Sequence, residues 1–103
     1  MKILVTGGAG FIGRHLVDYL LYNHHVTIYD NLSNSSKVKL TPLIQKGAKF
    51  IKGDILDFNL LLESSKVDII IHLAAKSDVV DSIINPEITN DTNVNGTINV
   101  LKC

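Results

Sequence analysis

The run Thr6-Gly7-Gly8-Ala9-Gly10-Phe11-Ile12-Gly13 constrains this chain more than any other stretch. It follows Ile3-Leu4-Val5, an apolar triplet with no polar alternation, as a strand buried on both faces requires. It leads into a segment from Phe11 to Tyr22 in which Ile12, Leu16, Val17, Leu20 and Leu21 recur at three- and four-residue spacing, with Arg14, His15 and Asp18 largely opposite. That spacing predicts an amphipathic helix. The glycines parse as G-x-G-x-x-G through Gly8, Gly10 and Gly13, or as G-x-x-G-x-x-G through Gly7, Gly10 and Gly13. In either case an early glycine permits a tight reversal, Gly10 lets a diphosphate approach the backbone, and Gly13 lets the helix pack closely on the strand. The free N–H groups and positive dipole end of the helix suit phosphate. The alternative is a glycine-rich turn that serves packing alone.

A second element supports the phosphate reading. Val26-Thr27-Ile28-Tyr29 predicts another strand, ending at Asp30. An acidic residue at that strand tip, about 20 residues beyond the glycines, is placed to accept from the ribose hydroxyls of an adenine dinucleotide. It would repel a 2′-phosphate, so NAD is favoured over NADP.

The remaining chain keeps alternating short apolar runs with segments of helical spacing, which predicts a parallel sheet covered by helices. A polar turn spans residues 31–36, and a helix is expected between Lys37 and Lys46. There Thr41-Pro42 marks either an N-cap with proline in the first turn or a break. Phe50-Ile51 predicts a short third strand before Gly53-Asp54, and Asp57 is an N-cap candidate for a helix carrying Leu60, Leu61 and Leu62. The most apolar run, from Val67 to Ala74, predicts a central strand, and Val94, Ile98 and Leu101 predict the buried face of a last helix. Gly96 in that helix either allows close packing or weakens it. The three tyrosines are expected to be half-buried.

Composition narrows the function classes. Ten basic and ten acidic residues cancel, which gives no reason to expect nucleic acid or an anionic membrane as a partner. No stretch approaches the roughly 20 apolar residues that span a bilayer. The one cysteine, Cys103, cannot form an internal disulfide, so a reducing, cytoplasmic setting is expected. His15, His24 and His25 show no metal-ligand pattern, and His72 in its apolar strand reads as a hydrogen-bonded core histidine; no metal is expected.

The ordered set TGGAGFIG, YDNLSNSS, GDI, HLAA and NVNGT resembles the extended short-chain dehydrogenase/reductase family. More narrowly it is similar to the NAD-dependent sugar-nucleotide epimerases and dehydratases, such as the UDP-glucose 4-epimerases. The likeness covers essentially all of residues 1–103, but only the first third or so of such an enzyme. It implies an α/β fold, a Rossmann-type three-layer α/β/α parallel sheet of strand order 3-2-1-4, truncated. It places Gly7, Gly10 and Gly13 with Phe11 and Ile12 against the pyrophosphate. Asp30, Asn31, Asn34 and Ser35 would surround the adenosine ribose, and Asp54 and Ile55 would border the adenine. Leu73, Ala74 and Ala75 would end the fourth strand beside the cofactor, with Thr92 also in contact. Asp54 has a plainer reading as a turn residue. Ser82 matches a sugar-nucleotide position, but Ser82 and Lys76 also read as solvated loop residues.

The resemblance further implies a Tyr-x-x-x-Lys pair for proton transfer, which maps nowhere in this chain: Tyr19, Tyr22 and Tyr29 are followed four residues on by Asn23, Val26 and Ser33. No catalytic residue is therefore assigned. The expected role is the NAD-binding N-terminal portion of such an enzyme, inactive alone, with a sugar nucleotide as partner only if the missing part is supplied. A stand-alone NAD-binding regulatory module and one half of a split enzyme are the alternatives. With the sheet ending at its fourth strand, self-association is expected through that edge or through the Val94/Ile98/Leu101 face.

Overall fold

The computed structural model describes residues 1–33, 36–74 and 93–103, together with the backbone of 91 and 92. The expectations for Asn34, Ser35, Ala75, Lys76 and Ser82 lie outside the described residues, as does the side chain of Thr92.

Four parallel strands form one sheet in the order β3-β2-β1-β4. They are β1 (Lys2–Thr6), β2 (His25–Asp30), β3 (Lys49–Lys52) and β4 (Ile69–His72). β1 lies in the middle, pairing Lys2 with His25 and Thr6 with Tyr29 on one side, and Ile3 with Ile69 and Thr6 with His72 on the other. Thr6, Asp30, Lys52 and His72 thus finish at the same end of the sheet. In an open parallel sheet that is the end where ligands bind. β4 is shorter than the Val67–Ala74 run suggested. Val67 donates its N–H to Ser65 O and Leu73 has left the strand, still donating to Thr6 O.

The helices cover both faces. α1 (Phe11–Leu20) and α2 (Thr41–Gln45) lie over Ile3, Val5, Val26 and Ile28, while α3 (Phe58–Ser64) and α4 (Gly96–Lys102) lie over Leu4 and Tyr29. Alternate residues of β1 and β2 thereby enter two separate cores, the period-two geometry that made these strands look uniformly apolar. Completely burying a side chain such as Leu4 or Ile28 contributes about 1.5–3 kcal/mol each. Thr41-Pro42 sits at the junction of a 3-10 turn (Lys37–Leu40) and α2, with the proline in the first helical turn, where its missing N–H costs nothing. Asp57 caps α3 as expected, its carboxylate accepting from Leu60 N–H at 3.2 Å.

Three expectations about side chains are corrected. Val94, Ile98 and Leu101 are not the buried face of the last helix, Leu101 being 80% exposed; Gly96 and Val100 are buried instead. The reason is Ile55, whose side chain fills the space a Cβ on Gly96 would need and so draws that face of α4 inward. The opening turn of this segment (Asp91–Asn95) is wound in π-helical form before α4 begins. Ile12 lies on the open side of α1, 70% exposed, because Gly13 and Val17 take the buried stripe. The tyrosines also diverge: Tyr29 is fully buried between the sheet and α3, whereas Tyr19 and Tyr22 are exposed on and just after α1. No helix among the described residues is long and apolar enough to cross a membrane.

Candidate functional site

The turn after β1 is shaped by what its glycines lack. Gly7 has φ +74°, a left-handed conformation that disfavours a side chain, and a Cβ there would come within 2.7 Å of Ala74 N and Leu73 C. Its N–H donates to Tyr29 O at 2.9 Å, tying the turn to β2. Gly10 N–H donates to Gly7 O at 3.2 Å. Gly13 packs over that same Gly7 carbonyl, and a Cβ on it would fall 2.7 Å from Gly8 Cα. Gly8 is close-packed as well, a Cβ there falling 2.8 Å from Ile28 Cγ2, so both parses contain glycines that packing demands. Gly13 serves the approach of α1 to the turn backbone rather than to the strand itself.

The first turn of α1 is open for a ligand. Gly10 is its N-cap and makes no side-chain hydrogen bond, and no acidic side chain lies in the first turn. The N–H groups that every helix leaves unpaired at its start are thus neither capped nor neutralised there. Phe11, 71% exposed, and Ile12 flank this opening, with the Phe11 ring edge-on to His15. Among the described residues, a Cβ at Gly10 would meet only Gly7 O, at 3.4 Å, an ordinary contact.

Asp30 joins this turn to the tip of β2. Its Oδ2 accepts from Ala9 N–H at 3.1 Å and its Oδ1 from Leu32 N–H at 2.7 Å. Leu32 itself adopts φ +62°, an uncommon conformation for a leucine, held by that bond and by packing against the core. Ala9 is held on its other side as well, its carbonyl accepting from the Arg14 guanidinium at 3.2 Å. A carboxylate accepts about four hydrogen bonds, so Asp30 keeps capacity beyond these two. Asn31 closes the tip with an Asx turn, Oδ1 accepting from Ser33 N–H at 3.0 Å.

The loop after β3 forms the next wall. Asp54 Oδ1 accepts from Leu56 N–H at 2.9 Å, and Asp54 O accepts from the Tyr29 hydroxyl at 2.7 Å. Desolvation raises the Tyr29 pKa to about 12, with the Asp57 and Asp54 carboxylates adding in the same direction. Asp54 therefore acts as a turn residue here, whatever else its carboxylate does. Ile55 is buried under α4, where its carbonyl accepts from Asn99 Nδ2 at 3.0 Å and its side chain packs against Gly96. Leu73 and Ala74 follow β4 and close the edge beside Gly7.

Thr6, Asp30, Lys52 and His72 end at the same side of the sheet, where Gly7 abuts Leu73 and Ala74 and Ala9 meets Asp30. Residues that sequence reasoning missed are Ala9, whose N–H meets Asp30, and Thr6 and Thr97, whose hydroxyls flank His72 at 2.6 and 2.9 Å. Nothing in the spacing singled out Ala9, because the bond uses its backbone. His72 is the hydrogen-bonded, partly buried histidine expected, and burial lowers its pKa. Among the described residues no three His, Cys, Asp or Glu side chains are placed to hold a metal ion.

A parallel 3-2-1-4 sheet with a glycine-walled turn after its first strand is a Rossmann-type fold of the extended short-chain dehydrogenase/reductase kind. The chain belongs to the family described as GDP-mannose 4,6 dehydratase, whose model matches residues 4–103. It is 42% identical over 111 residues to a UDP-glucose 4-epimerase of Cyamopsis tetragonoloba, covering 97% of this chain and 31% of that protein. Among solved structures it is similar to Pal from Bacillus thuringiensis (44% identity, TM-score 0.91, 99% of this chain and 34% of that one). It is also similar to the dTDP-glucose 4,6-dehydratase DesIV of Streptomyces venezuelae with NAD and TYD bound (40% identity, TM-score 0.90, 100% and 35%). The chain spans about a third of the length of these relatives.

Proposed function

We propose that this chain forms the NAD-binding portion of a sugar-nucleotide epimerase or dehydratase. The observation that carries the reading is the bond from Ala9 N–H to the Asp30 carboxylate, which sets the glycine turn and the acidic strand tip side by side. The turn fits a dinucleotide diphosphate: among the described residues a Cβ at Gly10 meets only Gly7 O and no side chain caps the α1 N–H groups. The remaining acceptor capacity of Asp30 fits ribose hydroxyls and disfavours a 2′-phosphate. Asn31 would frame the ribose and Asp54 and Ile55 the adenine, while Leu73 and Ala74 border the path beyond. Bound NAD would supply a hydride acceptor; the residues here bind and orient it, and the sugar nucleotide and proton-transfer groups belong to a longer protein. We extend the reading to a second copy of the chain, meeting it along β4 or through the exposed Val94, Ile98 and Leu101 face, which sedimentation at high concentration tests against a clean monomer.

Gly10 separates binding from folding. Its φ of −71° suits alanine and the added Cβ has room at 3.4 Å, so Gly10→Ala keeps the fold. That same Cβ stands where the diphosphate must approach. Calorimetry is expected to show NAD binding to the unsubstituted protein, weaker binding of NADP, and loss of affinity in Gly10→Ala with an unchanged melting temperature. Equal NAD affinity in both proteins would overturn the assignment.

A further inference from the structure

Thr6, His72 and Thr97 come from β1, β4 and α4 and form one chain whose proton directions follow from its ends. The Thr97 hydroxyl donates its single proton to Asn93 O at 2.7 Å, a bond back along its own helical turn. A carbonyl has no proton to return, so toward His72 Nε2, 2.9 Å away, Thr97 Oγ1 can only accept. Nε2 therefore carries the hydrogen. Nδ1 of the neutral ring is then bare, and it accepts from Thr6 Oγ1 at 2.6 Å. Thr6 Oγ1 in turn accepts from Leu73 N–H at 3.1 Å and Ala74 N–H at 3.4 Å. The other tautomer would require Thr97 to turn its proton from Asn93 O to Nε2 and Thr6 Oγ1 to accept from Nδ1–H in addition to Leu73 N–H and Ala74 N–H.

This chain ends on the two residues that wall the opening beside Gly7. Because a Cβ on Gly7 would lie 2.7 Å from Ala74 N and Leu73 C, the β4 exit and the turn are already at closest approach, and a small shift of one displaces the other. We propose that His72 is a positioning residue for the dinucleotide site: held as the Nε2–H tautomer between Thr6 and Thr97, it fixes the exit of β4 against the glycine turn and anchors it to α4. Its functional consequence rests on the NAD reading above; its tautomer does not.

Two measurements separate these. Nitrogen-15 spectra of the histidine rings, with the His72 signals identified by their loss in His72→Gln, are expected to show the neutral Nε2–H pattern at neutral pH. An Nδ1–H pattern or a cationic ring would overturn the proposal. Thr97→Val removes the acceptor of Nε2–H while keeping the side-chain shape, and Thr97→Ser restores it. NAD affinity is expected to fall about fivefold in the valine variant and to stay within about twofold in the serine variant. Equal affinities in the two variants would overturn the positioning role. Failure of the unsubstituted protein to bind NAD would instead sink the nucleotide reading, with the ring spectra still deciding the tautomer.

Discussion

The glycine turn after β1 and the β4–α4 corner border the same end of the sheet, yet different interactions hold them. Around Gly7, Gly10 and Gly13 the neighbours are backbone atoms: Gly7 O, Gly8 Cα, and the Leu73 and Ala74 main chain. At the corner, side chains do the holding, with Ile55 filling the gap at Gly96, Asn99 reaching Ile55 O, and His72 strung between two threonines. Backbone cannot retreat without moving a strand, whereas a side chain can change rotamer. The first region should therefore be brittle to substitution and the second compliant.

Gly7→Ala gives the largest expected effect. The new Cβ meets main chain and the residue must hold φ +74°, so a loss of about 3 kcal/mol is expected in urea unfolding. Gly96→Ala, the matching substitution in the corner, meets the Ile55 side chain first, at Cδ1 and Cγ1 rather than at main chain, and about 1–2 kcal/mol is expected. Equal costs at the two positions would break the comparison. Tyr29→Phe cuts a side-chain bond from the β2 tip to the loop after β3, with an expected loss of about 1 kcal/mol. The pH dependence sharpens this. With its folded pKa raised from 10.0 to about 12, Tyr29 contributes stability that is complete below pH 10 and lost as pH rises toward 12. Tyr29→Phe should flatten that part of a stability–pH profile. The smallest effect belongs to Lys46→Met, which removes an exposed ion pair with Asp18 far from both regions; its urea midpoint should match that of the unsubstituted protein.

The same contrast explains what the sequence reveals. Gly7 and Gly13 are legible because a Cβ at either would run into main chain, with Gly7 also at a positive φ that favours glycine, and Asp57 is legible because capping is local. The parallel sheet follows from runs such as Ile3-Leu4-Val5, which must feed two cores at once. The α4 face is not legible: Val94, Ile98 and Leu101 have helical spacing, but the choice of Gly96 and Val100 is made by Ile55, about 40 residues away in the chain. Tyr29 likewise differs from Tyr19 and Tyr22 only through its place in β2. The Thr6–His72–Thr97 chain needed three elements to meet, and only the glycine motif hinted at Thr6.

The account turns on a carboxylate that serves both the turn and a ribose. Calorimetric titration of Asp30→Asn with NAD, beside the unsubstituted protein and with melting temperatures compared, tests it most directly, because asparagine keeps the shape while losing the charge and one of the two acceptor oxygens. Replacing a charged acceptor should weaken NAD binding about tenfold or more and narrow the preference over NADP. Unchanged NAD affinity together with unchanged discrimination against NADP would contradict the account.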